Sequence, residues 1–190
     1  MNRIVGYNKS VNDVEFTIKK GETVGLVGES GSGKTTLGRC IVRLYDSTAG
    51  SIKFNVNGKM TELTNLSTKE MKNIRKNFQM LFQDVYSSLD TRMKISKIVT
   101  EPLDIHNVGT KKERIERAKE LMIKVGLSEN DLEKYPHQFS GGQRQRIGIT
   151  RALSINPEFI ICDEPVSALD VSVQAQILNL LVDLKNEFNL

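Results

Sequence analysis

The chain carries one stretch that decides its fold, Gly28-Glu29-Ser30-Gly31-Ser32-Gly33-Lys34-Thr35-Thr36. This stretch fits the pattern G-x-x-x-x-G-K-[ST], whose glycines let the backbone turn tightly so that successive N–H groups face phosphate oxygens. In the pattern, Lys34 supplies a mobile positive charge for the β- and γ-phosphates, and the Thr35 hydroxyl is placed to coordinate Mg²⁺. The stretch therefore predicts a phosphate-binding loop rather than a glycine-rich turn that binds nothing.

The segments on either side of the loop support this interpretation. Residues 22–27 form an apolar run that predicts a short buried strand. Residues 36–44 predict a helix whose N-terminal dipole faces the phosphates. A strand, a phosphate loop and a helix in this order indicate a nucleotide-binding α/β unit.

A second apolar run, residues 158–162, leads into Asp163 and Glu164. At the carboxyl end of a strand, Asp163 is expected to hold Mg²⁺ directly or through water, while Glu164 orients or deprotonates the attacking water near the γ-phosphate. Acid pairs at strand ends are common in other proteins. Only together with residues 28–36 does this pair predict a nucleotide triphosphatase.

Composition narrows the class of protein. With 190 residues the chain is long enough for one good-sized core with room for two lobes, and its 38% hydrophobic and 26% charged residues are typical of a soluble globular protein. Net charge is +4, and the nearest approach to a basic cluster, residues 111–114, is interrupted by an acid. We therefore expect no nucleic-acid partner.

The cysteines and the hydropathy pattern indicate the cellular compartment of the protein. Cys40 and Cys162 both lie in apolar runs, which predicts buried free thiols, and no metal-ligand spacing is present. No apolar run approaches membrane-spanning length, and the first residues do not open a signal peptide. The expectation is a cytosolic protein that can dock on a membrane partner.

The remaining pattern predicts further elements along the chain. The predicted strands cover residues 11–18, 51–56 and 78–82, and the turn Asn57-Gly58 closes the second of them. The predicted helices are one capped by Ser67 and Glu70 that runs as far as Lys76, those between 95 and 134, one from Ser140 to Ser154, and one capped by Ser172 that runs to Phe188. Between 95 and 134 an apolar stripe of Ile115, Ala118, Met122 and Val125 ends at Gly126. Strands and helices alternating around the loop predict an α/β fold, a parallel-sheet core with a small antiparallel portion. The core is expected to comprise residues 1–83 and 155–190, with an inserted helical lobe at 84–154.

Three further segments resemble the ATP-binding-cassette (ABC) family. Residues 139–143 are similar to its signature motif, Gln83 to its glutamine loop, and residues 167–170 to its D-loop, in the family's order and spacing. The resemblance covers essentially the whole chain. It implies that ATP and Mg²⁺ bind at residues 28–36, with Thr35, Gln83 and Asp163 as metal ligands.

The same resemblance implies roles for the other motifs. Ser140, Gly141 and Gly142, with Gln143 in the same motif, would contact the γ-phosphate of ATP held by a second copy or a paralogue. A hydroxyl and backbone N–H groups at a helix N-terminus suit an anion. Asp170 would contact that second subunit. Gln83 would sense Mg²⁺ and the attacking water at the joint between the two lobes.

A finer resemblance points to the oligopeptide and dipeptide importers. It rests on residues 26–31, 82–84, 88–89, 135–137 and 163–170. Val85 and Thr91 stand where that subfamily usually has prolines. The resemblance implies a motor subunit at the cytoplasmic face of the membrane, with a second ATPase subunit (identical or not), transmembrane permease subunits and, indirectly, a solute-binding protein as partners. Nickel and glutathione importers share much of the pattern, so the solute stays open.

Other functions within the family remain to be weighed. ABC ATPases of DNA repair carry a long coiled coil between glutamine loop and signature, and those of translation carry two cassettes; neither feature is present here. The alternative from another functional class is a module that binds nucleotide without hydrolysing it. This alternative arises because the family's switch histidine lies beyond the last helix and is missing from this chain. His106 and His137 precede the second acid motif and do not fill that role.

The ends of the chain give two more expectations. Tyr7 is the only nearby candidate for the family's adenine-stacking aromatic residue, but it stands too close to residues 11–13 to match. Because the family's switch histidine is missing as well, we expect the chain to be truncated at both ends. In the resembled fold a further strand lies between residues 23–27 and 159–162. These two segments are therefore expected to be unpaired with each other, which would leave buried N–H and C=O groups unsatisfied and the chain unstable by itself.

Overall fold

The structure, a computed structural model, describes residues 9–56 and 58–190. Tyr7 and Asn57 therefore lie outside the described residues. Within them the chain forms helices and strands in the order α1 (Lys34–Ile41), β1 (Lys53–Val56), β2 (Lys59–Glu62), α2 (Thr68–Ile74), β3 (Phe78–Leu81), α3 (Val85–Ser88), α4 (Ile95–Ile105), α5 (Lys111–Lys124), α6 (Gly141–Ser154), β4 (Phe159–Cys162) and α7 (Val171–Phe188). One 3₁₀ helix (Arg75–Asn77) follows α2, and two more (Glu129–Glu133 and Pro136–Gln138) lie between α5 and α6.

The strands that lead to the site are β3 and β4, which pair in parallel with Phe78 opposite Phe159 and Leu81 opposite Cys162. The Asp163 N–H extends this pairing by donating to the Leu81 carbonyl at 2.9 Å. Because parallel strands end at the same edge, the residues after Leu81 and those after Cys162 emerge side by side. The predicted strands at 78–82 and 158–162 are confirmed.

A separate antiparallel hairpin joins β1 to β2, with Val56 opposite Lys59. Of the turn that the sequence predicts at Asn57-Gly58, the structure describes Gly58, which has the positive φ of 84° that such turns need. The Phe54 ring of β1 contacts the Phe78 ring of β3 edge-on, with ring centroids 5.6 Å apart. The hairpin is thereby attached to β3.

Helix caps follow local sequence closely. Ser67 with Glu70 and Ser140 with Gln143 both form the reciprocal pair in which each residue's side chain bonds the other's backbone N–H. The predicted cap at Ser172 is wrong: α7 begins two residues earlier, with Asp170 as its N-cap. Aspartate and serine cap helices about equally well, so the local sequence offered two starting points.

Three groups of buried side chains hold these elements together. One joins α4, α5 and α6 around Val99, Met122 and Ile147; another joins α5, α6, β3 and α7 around Leu121, Leu153 and Ile177; the third joins α1, the hairpin, α2 and β3 around Leu63 and Met71. Each fully buried side chain of this size contributes roughly 1.5–3 kcal/mol. The predicted stripe on α5 is confirmed at Ala118, Met122 and Val125, while Ile115 is half-buried. Helix α6 belongs to two of the groups.

Two predicted strands are wrong. Residues 11–18 and 23–27 form no strand and pair with no strand among the residues described. Most of their apolar side chains are exposed, and Val27 is 90% exposed where the sequence predicts burial. Among the described residues, β4 pairs with β3 alone, so residues 23–27 and β4 are not joined to each other, as expected.

The two cysteines are more exposed than the sequence predicts. Cys162, at the end of β4, is exposed, and Cys40, on α1, is half-buried, so the prediction of two buried thiols is wrong. Both are free thiols, as predicted. In the part of the chain that the structure describes, no helix is both long enough and apolar enough to span a bilayer.

Candidate functional site

The loop at residues 28–33 ends at Gly33, which caps α1 in the left-handed conformation with φ of 93°. A Cβ at this position would lie 2.0 Å from the Ser10 carbonyl oxygen. Only glycine fits both the conformation and this close approach. The turn of the loop brings Lys34 to the first position of α1.

The Lys34 ammonium lies over the loop itself. Its Nζ donates to the carbonyl oxygens of Gly28 at 2.8 Å and Glu29 at 2.7 Å. Residues 28–32 are exposed, and Thr36 is half-buried on the first turn of the helix. The loop therefore presents an open face with its cation held by exchangeable carbonyl contacts.

Thr35 connects the loop to the second half of the chain. Its hydroxyl donates to Asp163 Oδ1 at 2.7 Å, a contact between residues separated by 128 positions. Asp163 is 8% exposed, so its carboxylate depends on protein donors such as this hydroxyl. Two of the three side chains that the sequence assigns to Mg²⁺ therefore meet.

Gln83 and Glu164 meet beside them. The Gln83 amide Nε2 donates to Glu164 Oε2 at 2.6 Å, and both side chains are exposed. Glu164 has φ of 46°, a left-handed conformation that is unusual for this residue type and recurs at functional sites. The sequence expects Gln83 near the metal and water; in the structure its bond goes to the predicted base.

The signature segment lies in a different cleft. Ser140 caps α6, and its hydroxyl oxygen accepts from Gln143 N–H at 3.4 Å, which leaves the hydroxyl proton able to donate. An open cleft of about 330 Å³ is lined by Ser140, Gly141, Gly142, Gln143, Arg146, Ala168, Leu169, Asp170, Val173 and Gln176. The structure thus brings the signature segment together with Asp170. No residue of 28–36 lines this cleft.

Two arginines beside Gln83 were missed by the sequence reasoning. Arg39 and Arg151 line a cleft with residues 82–84 and 87–88. Arg151 donates to the Ser88 carbonyl at 2.6 Å, and burial lowers the pKa of its guanidinium. Arg39 Nε is buried without a hydrogen-bond partner among the residues described. The only sequence signal was the position of Arg39 on α1, five residues after Lys34.

Comparison with known proteins agrees with this arrangement. A family model described as ABC transporter matches residues 11–167. The chain belongs to the ABC transporter family. The match includes the loop, Gln83, the signature segment and both acids, so the family explains why these motifs occur together.

Over the aligned regions, about half of the residues are identical between the chain and curated relatives within the family. It is 54% identical over 189 residues to the oligopeptide transport ATP-binding protein AppF of Bacillus subtilis, covering 99% of this chain and 56% of that protein. It is 53% identical over 186 residues to the oligopeptide transport ATP-binding protein OppF of the same organism, covering 96% of this chain and 59% of that protein. The chain thus spans little more than half the length of these family members.

Solved structures of the family have the same fold. The ATP-binding cassette MJ0796, in a dimeric post-hydrolysis state bound to ADP and Pi, superposes with a TM-score of 0.80 at 33% identity, covering 94% of this chain and 75% of that one. A second dimeric structure of MJ0796, described as a bacterial ABC transporter cassette, gives the same TM-score and identity. The predicted fold class, an α/β P-loop core with helical and antiparallel parts, is confirmed.

Proposed function

We propose that this chain binds MgATP at residues 28–36 and hydrolyses it as the motor subunit of a membrane importer for oligopeptides or dipeptides. The names of AppF and OppF, both oligopeptide transport ATP-binding proteins, support the peptide class over nickel or glutathione. The proposal places the subunit at the cytoplasmic face of the membrane.

One observation carries the proposal, the 2.7 Å hydrogen bond from Thr35 to Asp163. It joins the phosphate loop to the acid pair, two motifs that lie far apart in the sequence. Such a contact is expected in a protein that uses both motifs in one site. Beside it, Gln83 bonds Glu164. All four side chains that the sequence nominates for the metal and the water therefore lie at one edge of the β3–β4 pair.

The donor set fits Mg²⁺. A hydroxyl, a carboxylate and an amide carbonyl are the hard oxygen ligands that this ion prefers, and it usually keeps several waters besides one or two carboxylates. Thr35 and Asp163 would hold it, with the Gln83 carbonyl within reach of the same edge. When bound, Mg²⁺ neutralises charge that develops on the β- and γ-phosphate oxygens.

The protein's own groups do the rest. Lys34 exchanges the Gly28 and Glu29 carbonyls for phosphate oxygens, which are stronger acceptors because they are charged. Glu164 accepts the proton of the attacking water, and the Gln83 amide holds the carboxylate in its orientation.

The second cleft belongs to the proposal as the surface for a second subunit, identical or paralogous. Ser140 and the N–H groups of Gly141 and Gly142 would donate to the γ-phosphate of ATP held by that subunit, and Asp170 would contact it directly. The open shape of the cleft and the dimeric state of MJ0796 support this arrangement.

Permease docking is proposed for residues 83–93, at the junction between a nucleotide-binding core (1–83 and 155–190) and a helical lobe (84–154). In the sequence Val85, Tyr86 and Leu89 stand among polar residues, which predicts exposed side chains. This prediction is wrong for two of them: Leu89 is 2% exposed within the α4–α6 group, and Val85 is half-buried against it. The Tyr86 side chain lies outside the description. The exposed residues are instead polar, including Ser87 and Arg92, and Ser87 lines the cleft with the two arginines.

Glu164→Gln tests the function directly. The amide keeps the shape of the side chain but cannot accept the proton, so we expect MgATP binding to persist while turnover falls about 10²–10⁴-fold. Glu158→Gln, an exposed position just before the same strand, serves as the matched control. Phosphate release and calorimetric affinity are measured side by side. Turnover of Glu164→Gln at the wild-type rate contradicts the assignment of Glu164 as the base. Nucleotide binding without turnover in the unmodified chain contradicts the proposed hydrolysis and supports a module that only binds nucleotide.

A further inference from the structure

Helices α6 and α7 touch at a point where neither leaves room for another atom. A Cβ built on Gly142 would lie 2.7 Å from Val173 Cγ1, closer than carbon atoms approach in proteins. Valine is β-branched and stiff about χ1, so it cannot swing its methyl group aside at low cost. Gly142 therefore has a packing reason to be glycine that does not depend on any ligand.

The contact continues one turn along both helices. Arg146, four residues after Gly142, donates from Nη2 to Oε1 of Gln176, three residues after Val173, at 3.4 Å. Spacings of three and four residues lie on one face of a helix, so the two pairs form a single line of contact. The beginnings of α6 and α7 are held against each other along this line.

Val173 is also tied to Asp170. The N–H groups of Val173 and Gln174 both donate to the Asp170 carbonyl at 2.9 Å, and the Gln174 side chain donates to the Leu169 carbonyl at 2.9 Å. Ser140 precedes Gly142 by two residues and caps the same helix. Each helix start therefore carries one of the polar groups that line the cleft.

We propose that Val173 is a positioning residue that sets the separation of Ser140 and Asp170 through its contact with Gly142. The pair acts as a spacer, so that a second subunit meets the Ser140 hydroxyl and the Asp170 carboxylate as one preformed surface. The use of that surface rests on the proposed function, whereas the spacer itself is a property of the single chain. In this proposal Val173 acts through Gly142 and not through a contact of its own with nucleotide.

The test uses Gly142→Ala, Val173→Ala and the double variant. Gly148→Ala is the matched control, because it lies on α6 and its new Cβ would be 3.9 Å from Val85 Cγ1, an ordinary contact. Hydrogen exchange of residues 140–146 and 166–173 is measured without nucleotide. Overpacking is expected to accelerate exchange in both segments of Gly142→Ala about 5- to 150-fold, with no comparable change in Gly148→Ala.

Removing the valine methyl groups makes room for the new Cβ. Because the new Cβ takes the space of the removed methyl groups, exchange in the double variant should be slower than in either single variant. Exchange as fast as in Gly142→Ala overturns the spacer. ATP turnover of Val173→Ala, measured against protein concentration, should fall, because a second subunit no longer meets a preformed surface. Unchanged turnover in Val173→Ala, in a chain whose unmodified form hydrolyses ATP, overturns the positioning role.

Two results remain decisive if other parts fail. If the unmodified chain does not hydrolyse ATP, the proposed function fails, yet the exchange data still decide the spacer. If Gly142→Ala does not fold, Val173→Ala is read by itself: loss of the contact should raise exchange in residues 140–143 as well as 166–170, and unchanged exchange in 140–143 refutes the proposal.

Discussion

Replacing Thr35 by valine removes the hydroxyl that joins the phosphate loop to β4 while keeping the shape of the side chain. The lost bond is a 2.7 Å contact to a carboxylate that is 8% exposed. Hydrogen bonds to charged groups contribute about 1.5–3 kcal/mol, and the buried carboxylate is left short of a donor. For a protein of 150–250 residues each kcal/mol corresponds to about 2–4 °C, so the melting temperature should fall by about 3–12 °C.

Thermal unfolding is followed without nucleotide and with a chelator, so that no metal replaces the lost donor. Thr35→Ser keeps the hydroxyl and is the control; it should retain most of the stability. A double-mutant cycle with Asp163→Ala isolates the pair, since neighbouring residues that interact show coupling energies of about 0.5–3 kcal/mol. A coupling energy indistinguishable from zero would falsify the claim that this bond joins the two halves of the site.

Three further predictions concern the loop, the lobe and the hairpin. Lys34→Ala should weaken MgATP binding about 10- to 150-fold in calorimetry, because contacts of a charged group contribute about 1.5–3 kcal/mol; Lys59→Ala, exposed on the hairpin, is the control, and unchanged affinity in Lys34→Ala contradicts the loop assignment. Leu89→Asp should leave the chain insoluble because the position is 2% exposed, whereas Ser87→Asp, at an exposed position, should fold and weaken co-purification with a permease; intact co-purification counts against docking there. Side-chain bonds from Ser51 and Thr64, aided by backbone N–H groups, lower the pKa of Glu62 from 4.5 to about 2, so its stabilising effect on the hairpin is present above pH 4.5 and is lost as the pH falls toward 2. Acid titration monitored at the amides of Ile52 and Thr64 should show this loss in the wild type and not in Glu62→Gln.

Features set by neighbours in the sequence were predictable from it. The capping pair of Ser67 with Glu70 needs only residues three positions apart and formed as predicted. The helix predicted from Ser140 also formed, and its capping pair with Gln143 has the same spacing. The phosphate loop likewise depends on its own glycines and on the helix that follows. The meeting of Thr35 with Asp163 was implied by their motifs, although the residues are far apart.

Features that depend on distant partners were not predictable. An apolar run becomes a buried strand only if another strand pairs with it, and residues 23–27 have no such partner in the described part of the chain. Exposure of Leu89 was misjudged because polar neighbours surround it in sequence, whereas α4 and α6 surround it in space. The Gly142–Val173 contact has no sequence signal, since it arises from the packing of two helices separated by the β4 strand.

Helix α6 packs in two of the hydrophobic groups, so a small rotation of the helix about one end moves its other end over a larger distance. Its 14 residues span about 21 Å at a rise of about 1.5 Å each. A tilt of about 10° about its C-terminal end would carry Ser140 through roughly 3.6 Å, more than the length of a hydrogen bond. Small adjustments in the packing around Leu153, far from the cleft, are thereby amplified at the end that carries the polar groups. If the proposed function is correct, side chains with no polar atom thus help to set the distance between those groups and the γ-phosphate of a second subunit's ATP.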